Sequence, residues 1–474
     1  MLTSFKLLLR KLVTIFSIKN TLTSYPLLIS RSYHSLSRSN LSPNAVKVLY
    51  RLKNSGFEAF LVGGCIRDHL IGVAPKDFDV VTDATPEEVH RIFSNSRLIG
   101  RRFRLVHVTF GREIIEVSTF RASNEIETDE DITHSAHGMI LRDNIFGNIE
   151  QDAERRDFTF NTLYYNIADF SIHDYCGGLK DIEQRKVRII GDPKRRYKED
   201  PVRMLRAIRF AAKLDFEIDS ATAAPIKEMA HLLDHIPPAR LFEEVLKLLG
   251  SGNGVKTYHL LRQYGLFRYL FPETNALLNG GWTASETDPE TFILQGLQNT
   301  DQRISEGKTT APYFLYAVIL WPKVLFRHEE FLAQGLPATP ALHQAASLVL
   351  DNQVAATSIP RRLSTPIREI WDLQFRLPKR FGKRAFILEQ HPRFRAAFDF
   401  ILIREACGLK SGGLGTWWQA FQDANEKQRR ELINSIDKFK GEKKTSARRR
   451  PKRNQNSTQP VEESAEKNTG KVDE

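Results

Sequence analysis

The spacing of apolar residues changes along the chain near residue 196. Before that point, short apolar runs at 57–62 and 113–120 predict strands, and a repeat of three to four residues at 44–52 predicts a helix. Beyond it the repeat is helical, as at 201–214, and we identify no convincing strand. The pattern therefore predicts an α+β protein, with an N-terminal α/β head followed by an all-α C-terminal neck and body.

The two ends of the chain differ in composition from its middle. No acidic residue precedes Glu58, whereas Lys and Arg dominate 438–453 before a polar end. A polar, acidic stretch at 121–139 has no periodicity and predicts a loop. We therefore expect five segments: a basic N-terminal extension at 1–40, the head at 41–180, the neck at 181–250, the body at 251–437, and a basic disordered tail at 438–474.

The acid-free N-terminus leaves the location of the protein open. Its abundance of Ser, Thr, Leu, Lys and Arg resembles an organellar transit peptide, and a disordered extension or an upstream start codon on a cytoplasmic protein is the other interpretation. No apolar run approaches the roughly 20 residues that a membrane helix needs. We expect no membrane span and a cytoplasmic location, with a mitochondrial one as the alternative.

The charge balance favours a polyanionic partner. The formal net charge is +12, and neutralising phosphates with Lys and Arg releases condensed counterions. Basic tail residues, including Lys443, Lys444 and Arg448, are candidates for phosphate contacts, although solubility or a protein partner would also explain them. Trp417 and Trp418 could stack on RNA bases, but packing in the core of the body is the favoured interpretation.

Two short motifs in the head together form a candidate site. Gly63 and Gly64 lie between a predicted strand and a predicted helix, where backbone N–H groups can hold phosphates. Asp77 and Asp79 follow at the next strand, where an i, i+2 spacing places both carboxylates on one face. Alone, each motif is commonly a tight turn or a solvated strand edge. Together they predict a site in which two Mg²⁺ ions relieve the carboxylate repulsion and promote attack of a hydroxyl on an α-phosphate.

This combination resembles the signature of the class II nucleotidyltransferases, the family of CCA-adding enzymes and bacterial poly(A) polymerases. The resemblance runs in order from about residue 56 to 250, through the segments 63–68, 77–79, 155–159, 174–178 and 199–206. It implies that Asp77 and Asp79 bind the catalytic metal ions, and that Asp157 belongs to the active site. Gly63, Gly64, Arg67 and Arg156 are the implied nucleotide-binding residues, and Asp200 and Arg203, on one helix face, are implied to recognise the incoming base.

Glu116 is a further candidate, either as a third carboxylate facing the metal ions or as an ordinary strand glutamate. The segment 98–108 resembles the poly(A) polymerase branch more than the CCA-adding branch. We therefore expect template-independent addition of AMP from ATP to RNA 3′ ends, promoting RNA decay and processing. The alternative is a CCA-adding tRNA nucleotidyltransferase. Expected partners are single-stranded or tRNA-like RNA 3′ ends, ATP, and RNA-decay proteins bound through the basic tail.

A catalytically silent RNA-binding protein on the same fold is the rival from another class. Asp77 and Asp79 argue against it, because an inactive descendant has no reason to keep two repelling carboxylates together.

Overall fold

The computed structural model describes residues 26–100, 104–122, 132–134, 140–143, 145–280 and 288–447, without the side chains of 132–134, 140–143 and 437–447. Its strands are β1 Leu27–Ile29, β2 Ala59–Val62, β3 Asp79–Thr82, β4 Ser96–Ile99, β5 Leu105–Phe110, β6 Glu113–Thr119, β7 Ile132–His134, β8 Ile140–Asp143, β9 Leu163–Asn166, β10 Ile172–Asp174, β11 Lys186–Val187 and β12 Glu217–Ile218.

The head is built on an eight-stranded sheet in the order β1-β10-β9-β2-β3-β6-β5-β4. Only the β3–β6 pair is parallel among these neighbours, and its register sets Asp79 beside Glu116. The helices of the head are α1 Pro43–Asn54, α2 Gly64–Leu70, α3 Pro86–Ile92, α4 Ile149–Arg155 and α5 Gly178–Glu183, with short 3₁₀ turns at Arg31–Tyr33, Arg38–Asn40 and Thr159–Asn161.

Local sequence signals account for the first helices of the head. The Ser42 hydroxyl accepts hydrogen bonds from the backbone N–H groups of Asn44 and Ala45, with Pro43 in the first turn of α1. At α3, Thr85 and Glu88 form a reciprocal capping box. Local capping hydrogen bonds therefore fix where both helices start.

The rest of the chain is mostly helical, which confirms the predicted α+β class. These helices are α6 Pro193–Glu199, α7 Val202–Leu214, α8 Ser220–Ala223, α9 Ile226–Met229, α10 Pro238–Leu249, α11 Gly254–Gln263, α12 Phe267–Leu270, α13 Pro272–Asn279, α14 Pro289–Ser305, α15 Pro312–Ala333, α16 Ala338–Ala356, α17 Arg361–Arg376, α18 Arg384–Glu389, α19 Phe394–Ala406, α20 Leu414–Asp423 and α21 Glu426–Ala447, with a 3₁₀ turn at Ala230–His235. Within the described ranges, none of them is long and apolar enough to cross a bilayer.

Head and neck share one hydrophobic core. Phe210 of α7 packs against Phe158 and Phe160 of the head, with ring centroids 5.5 and 5.3 Å away. Further along, Trp418 is fully buried in a second cluster and donates a hydrogen bond from Nε1 to the Leu377 carbonyl oxygen. Trp417 is half-buried and stacks on Phe421. The favoured core-packing interpretation of Trp418 is confirmed.

Several sequence expectations are corrected by the fold. The predicted N-terminal extension contains β1, which pairs with β10 as an edge of the sheet, so residues 26–40 belong to the head. The helical region contains one short strand, β12, which pairs with β11. Within the predicted loop, β7 pairs with β8 just beyond it, while 123–131 and 135–139 lie outside the described residues.

The predicted tail also begins later than expected. Helix α21 continues through residue 447, past the expected boundary at 438, and 448–474 lie outside the described residues. The five domain boundaries otherwise stay predictions.

Candidate active site

Two exposed carboxylates mark one edge of the head sheet. Asp79 is the first residue of β3 and lies in register with Val62 at the end of β2. Asp77 precedes the strand, so only Asp79 lies on β3 and the predicted placement of both carboxylates on that strand is corrected. The two are still close enough for Asp77 to affect the pKa of Asp79. Among the described residues, no side chain forms a hydrogen bond or salt bridge with either carboxylate within 4.0 Å.

The pKa of Asp79 is raised to about 6. The main cause is partial removal from water, because protein surrounds the carboxylate on several sides although it remains accessible to solvent. The negative charges of Glu116 and Asp77 act in the same direction, whereas the Arg156 guanidinium opposes them. Asp79 therefore lies in a concentration of negative charge that a cation would stabilise.

Glu116 lies on β6 directly beside Asp79. Its Oε2 is 3.6 Å from Nε2 of His107 on β5, and its side chain is half-exposed. The position fits a third carboxylate near the predicted metal site, but no set of three His, Cys, Asp or Glu side chains within the described ranges is arranged to hold a metal ion. Metal binding by Glu116 stays a prediction.

The glycine pair forms the predicted turn between β2 and α2. Gly63 has φ +79°, a conformation that strains residues with a side chain, and its backbone N–H donates to the Leu163 carbonyl oxygen at 3.2 Å. A Cβ at Gly63 would also lie 4.0 Å from Nη1 of Arg156. The turn thus sits next to the Arg156 guanidinium, with Gly64 as the first residue of α2.

Arg156 is held rigidly beside this turn. Its Nη2 is 2.9 Å from Asp152 Oδ2, and its Nε donates to Asp152 and to the Tyr164 hydroxyl, each at 3.0 Å. The Tyr164 hydroxyl in turn donates to Asp152 at 2.8 Å. This network fixes a cation between the glycine turn and Asp79, as a phosphate-binding residue requires.

Asp157 points toward the neck. Its Oδ2 accepts a hydrogen bond from Arg206 Nε at 2.7 Å, and its Oδ1 accepts from Asn161 Nδ2 at 3.0 Å and from the Phe158 N–H at 2.8 Å. Burial acts to raise the pKa of Asp157, but Arg206 and these hydrogen bonds hold it well below its usual range. Asp157 is therefore an ionised anchor between the head and α7.

Arg67 is buried beneath the glycine turn, with 3% of its side chain exposed. Its Nε and Nη2 donate to Asp68 at 2.8 and 2.6 Å, and its Nη1 donates to Asn161 at 2.5 Å. The guanidinium lies 5.2 Å from the ring centroid of Phe210 in α7. In this arrangement Arg67 connects head and neck, and its predicted contact with the nucleotide stays untested.

The predicted base-recognising pair is arranged differently from the expectation. Asp200 lies between α6 and α7 in an extended conformation, while Arg203 is in the first turn of α7, so the prediction of one shared helix face is wrong. Asp200 Oδ2 accepts from Arg240 of α10 at 2.7 Å. Arg203 Nη1 donates to Glu199 Oε2 and to the Arg196 carbonyl oxygen, each at 2.9 Å. The proline between them, at residue 201, explains the break, because α7 starts after it.

Sequence reasoning missed the partners that hold these groups. Arg206 follows Arg203 by three residues, a spacing that could have placed both on one side of α7. Arg240 and Asn161 carry no comparable local signal, because their contacts join residues 40 and 94 positions apart.

Three regions of the chain match family models. Residues 59–188 match "Poly A polymerase head domain", residues 215–278 match "Probable RNA and SrmB- binding site of polymerase A", and residues 334–455 match "Polymerase A arginine-rich C-terminus".

Curated relatives are similar over most of the chain. Poly(A) polymerase I of Salmonella typhi is 49% identical over 416 residues, covering 86% of this chain and 89% of the relative. Poly(A) polymerase I of Escherichia coli O157:H7 is 48% identical over 431 residues, or 90% and 91% of the two chains. A CCA-adding enzyme of Listeria monocytogenes is 34% identical over 48% of this chain and 55% of its own length.

Solved structures share the fold at lower identity. A Thermotoga maritima CCA-adding enzyme complexed with tRNA is 20% identical, with a TM-score of 0.53 and coverage of 80% of this chain and 83% of that one. An apo CCA-adding enzyme is 19% identical, with a TM-score of 0.56 and coverage of 84% and 87%. These structures support the architecture of the head, neck and body.

Proposed function

The chain belongs to the bacterial poly(A) polymerase family, and on that premise we propose that it adds AMP from ATP to RNA 3′ ends without a template. The observation that carries the proposal is the pair of exposed carboxylates, Asp77 and Asp79, beside a fixed arginine and a glycine turn. Family membership alone would also admit an inactive descendant. A descendant without the reaction would have no use for an Asp79 carboxylate that pairs with no side chain in the described part of the chain.

The donor set at this edge fits Mg²⁺. Asp77 and Asp79 offer carboxylate oxygens, the ligands that Mg²⁺ prefers, and neither is neutralised by a described side chain within 4.0 Å. Two Mg²⁺ ions held there would lower the pKa of the attacking 3′ hydroxyl and neutralise charge on the departing pyrophosphate. Arg156 is placed to contact the triphosphate, and the first turn of α2, which starts at Gly64, offers backbone N–H groups.

In this proposal, residues of the neck select adenine as the incoming base. Arg240 holds the Asp200 carboxylate, and Glu199 holds the Arg203 guanidinium, so both groups are fixed before a nucleotide arrives. A pocket with fixed donors and acceptors favours one base pattern, because a base with a different pattern leaves buried polar groups without partners. This rigidity favours repeated AMP addition. The CCA-adding alternative needs a pocket that accepts cytosine before adenine.

The RNA partner would bind the basic surface of the neck and body. Residues 215–278 match a region described as a probable RNA-binding site, which supports an RNA 3′ end as the acceptor. We further propose a cytoplasmic location and contact with RNA-decay proteins through the basic tail.

Charge-removing variants test the proposed chemistry. Asp77→Asn and Asp79→Asn should each lower AMP transfer by at least about 100-fold, because each removes a metal ligand while leaving the RNA-binding surface intact. Transfer and RNA affinity are measured on the same preparations with Mg²⁺.

Asp83→Asn is the matched control at the other end of β3, where Asp83 accepts a hydrogen bond from the Glu58 N–H. It should keep activity within about threefold, since the metal ligands are unchanged. Near-normal transfer by either Asp77→Asn or Asp79→Asn would overturn the metal assignment.

A further inference from the structure

A cavity lies where α4 of the head meets α6 of the neck. Its volume is about 540 Å³, and four arginines line it: Arg155, Arg188, Arg195 and Arg196. Three carboxylates, Glu154, Asp192 and Glu199, also line it. Asp77 and Asp79 are not among its lining residues. The cavity is therefore separate from the carboxylate pair.

Arg196 is the buried member of this arginine group, with 7% of the residue exposed. Its Nη1 donates to Glu199 at 2.9 Å, and its Nη2 donates to the carbonyl oxygens of Arg155 and Arg156, each at 2.5 Å. Its Nε–H is buried and has no acceptor among the described residues. A buried donor without an acceptor is costly, so an acceptor supplied by a ligand would stabilise it.

One of the carboxylates that line the cavity, Glu199, is shared by several guanidiniums. Glu199 alone accepts from Arg195, Arg196 and Arg203, at 3.3, 2.9 and 2.9 Å. Asp192 caps α6 by accepting from the Arg195 N–H at 2.7 Å. Three guanidiniums thus share one carboxylate, whereas Arg188 pairs with Asp181 and Asp219, at 3.1 and 2.8 Å.

Burial and neighbouring positive charges both act on two of the arginines that line the cavity. Burial, together with the positive charges of Arg121 and Arg196, lowers the pKa of Arg155 to about 9. Burial and the positive charge of Arg203 lower the pKa of Arg196 to about 10. An anion in the cavity would oppose both shifts.

We propose that this cavity binds a phosphate group, with the Arg196 Nε–H and the Arg195 guanidinium as donors. Arginine suits this role because its planar N–H groups match phosphate oxygens. The phosphate comes either from the backbone of the RNA strand or from pyrophosphate. The part that this phosphate would play in the reaction rests on the proposed function, but the existence of the binding site does not.

Titration calorimetry with inorganic phosphate and with pyrophosphate tests the site. The full chain carries Asp79→Asn and the buffer contains a chelator, so binding does not depend on the catalytic metal ions. Arg195→Glu should weaken phosphate binding by at least about tenfold, because it replaces a donor with a like charge. The substitution spares the bonds of Arg196 to the backbone carbonyls, and thermal melting verifies the fold.

Lys194→Glu is the matched control on the same helix. Lys194 carries the same charge, pairs with Glu228 at 3.2 Å and does not line the cavity. It should change phosphate affinity by less than about twofold, since it contacts no ligand in the cavity. Equal weakening by both variants, or no saturable phosphate binding by the chain with Arg195 intact, would overturn the proposal.

The source of the phosphate is distinguished by RNA binding. If the RNA backbone supplies it, Arg195→Glu lowers the slope of log affinity against log salt by about 0.7, the value for one phosphate of a single strand. If pyrophosphate supplies it, the slope stays unchanged while pyrophosphate binding is lost. Retained phosphate binding combined with full activity of Asp79→Asn would contradict the proposed function and leave this site intact.

Discussion

Asp79 stands where neighbouring charges make an ionised carboxylate unfavourable. Partial removal from water is the main cause of its raised pKa, Glu116 and Asp77 add to it, and the compensation from Arg156 is incomplete. A group whose pKa is raised in the folded state stabilises the fold most below its unfolded pKa, and that contribution is lost as pH rises through about 6. In the metal-free protein at neutral pH, Asp79 therefore opposes folding.

This electrostatic cost can be measured as a thermal midpoint. In the presence of a chelator, Asp79→Asn should melt at a higher temperature than the unmodified chain at pH 7.5, because it removes a partly desolvated charge beside Glu116 and Asp77. The difference should shrink as pH falls from 7 to 4.5, where Asp79 takes up a proton in the folded chain. A lower midpoint for Asp79→Asn at pH 7.5 would contradict this account of the charge.

At the scale of single elements, the strand β1 shows what a short apolar run can contribute. Ile29 is buried and β1 pairs with β10 through three residues, although the composition around it predicts an extension outside the fold. In the sequence, the apolar run Leu27-Leu28-Ile29 is the feature that indicates this strand. A three-residue run carries too little periodicity to separate an edge strand from a basic leader.

Truncation tests the structural role of this strand. Deleting residues 1–30 should lower the free energy of unfolding by about 1–3 kcal/mol, since it removes the buried Ile29 side chain and exposes the edge of β10. Deleting residues 1–24 is the control, because it leaves β1 intact, and should have a much smaller effect. Chemical denaturation compares the two, and equal stability would contradict the assignment of β1 to the head.

Other elements differ in how well their local sequence predicts their structure. The caps of α1 and α3 follow from local hydrogen bonds, so the short sequences Ser42-Pro43 and Thr85 to Glu88 are enough to indicate these helix starts. The placement of Asp200 did not follow, because its position depends on Arg240, a residue 40 positions away. Local patterns fix where helices start, whereas long-range ion pairs decide which side chains stay available to a ligand.

At the scale of the whole molecule, the positive net charge and the order of head, neck and body fit an enzyme that binds RNA while its head adds nucleotides. The net charge of +12 reflects basic residues along much of the chain, including the Lys- and Arg-rich end. The resemblance in the motifs predicted the family and the carboxylates. It could not predict the ion pair that connects head and neck, because Asp157 and Arg206 are 49 positions apart in the sequence.

Deleting the basic C-terminal end tests RNA binding separately from the AMP-transfer reaction. Deleting the residues after Phe439 should weaken RNA binding and reduce the slope of log affinity against log salt, because fewer phosphates are neutralised. The rate of single AMP addition at saturating RNA should change little. Deleting 454–474 is the control, since it keeps the cluster Arg448–Arg450. An unchanged slope in the longer deletion would assign the tail to another partner.

Nucleotide choice tests the central proposal most directly. Purified protein is offered ATP, CTP, GTP or UTP separately with Mg²⁺, on an unstructured RNA oligonucleotide and on a transfer RNA lacking its terminal CCA. We expect long homopolymeric tails from ATP on the oligonucleotide and negligible transfer from the other three nucleotides, because Asp200 and Arg203 are fixed by Arg240 and Glu199. Efficient CTP addition confined to that transfer RNA would contradict the adenylating function and favour the CCA-adding alternative.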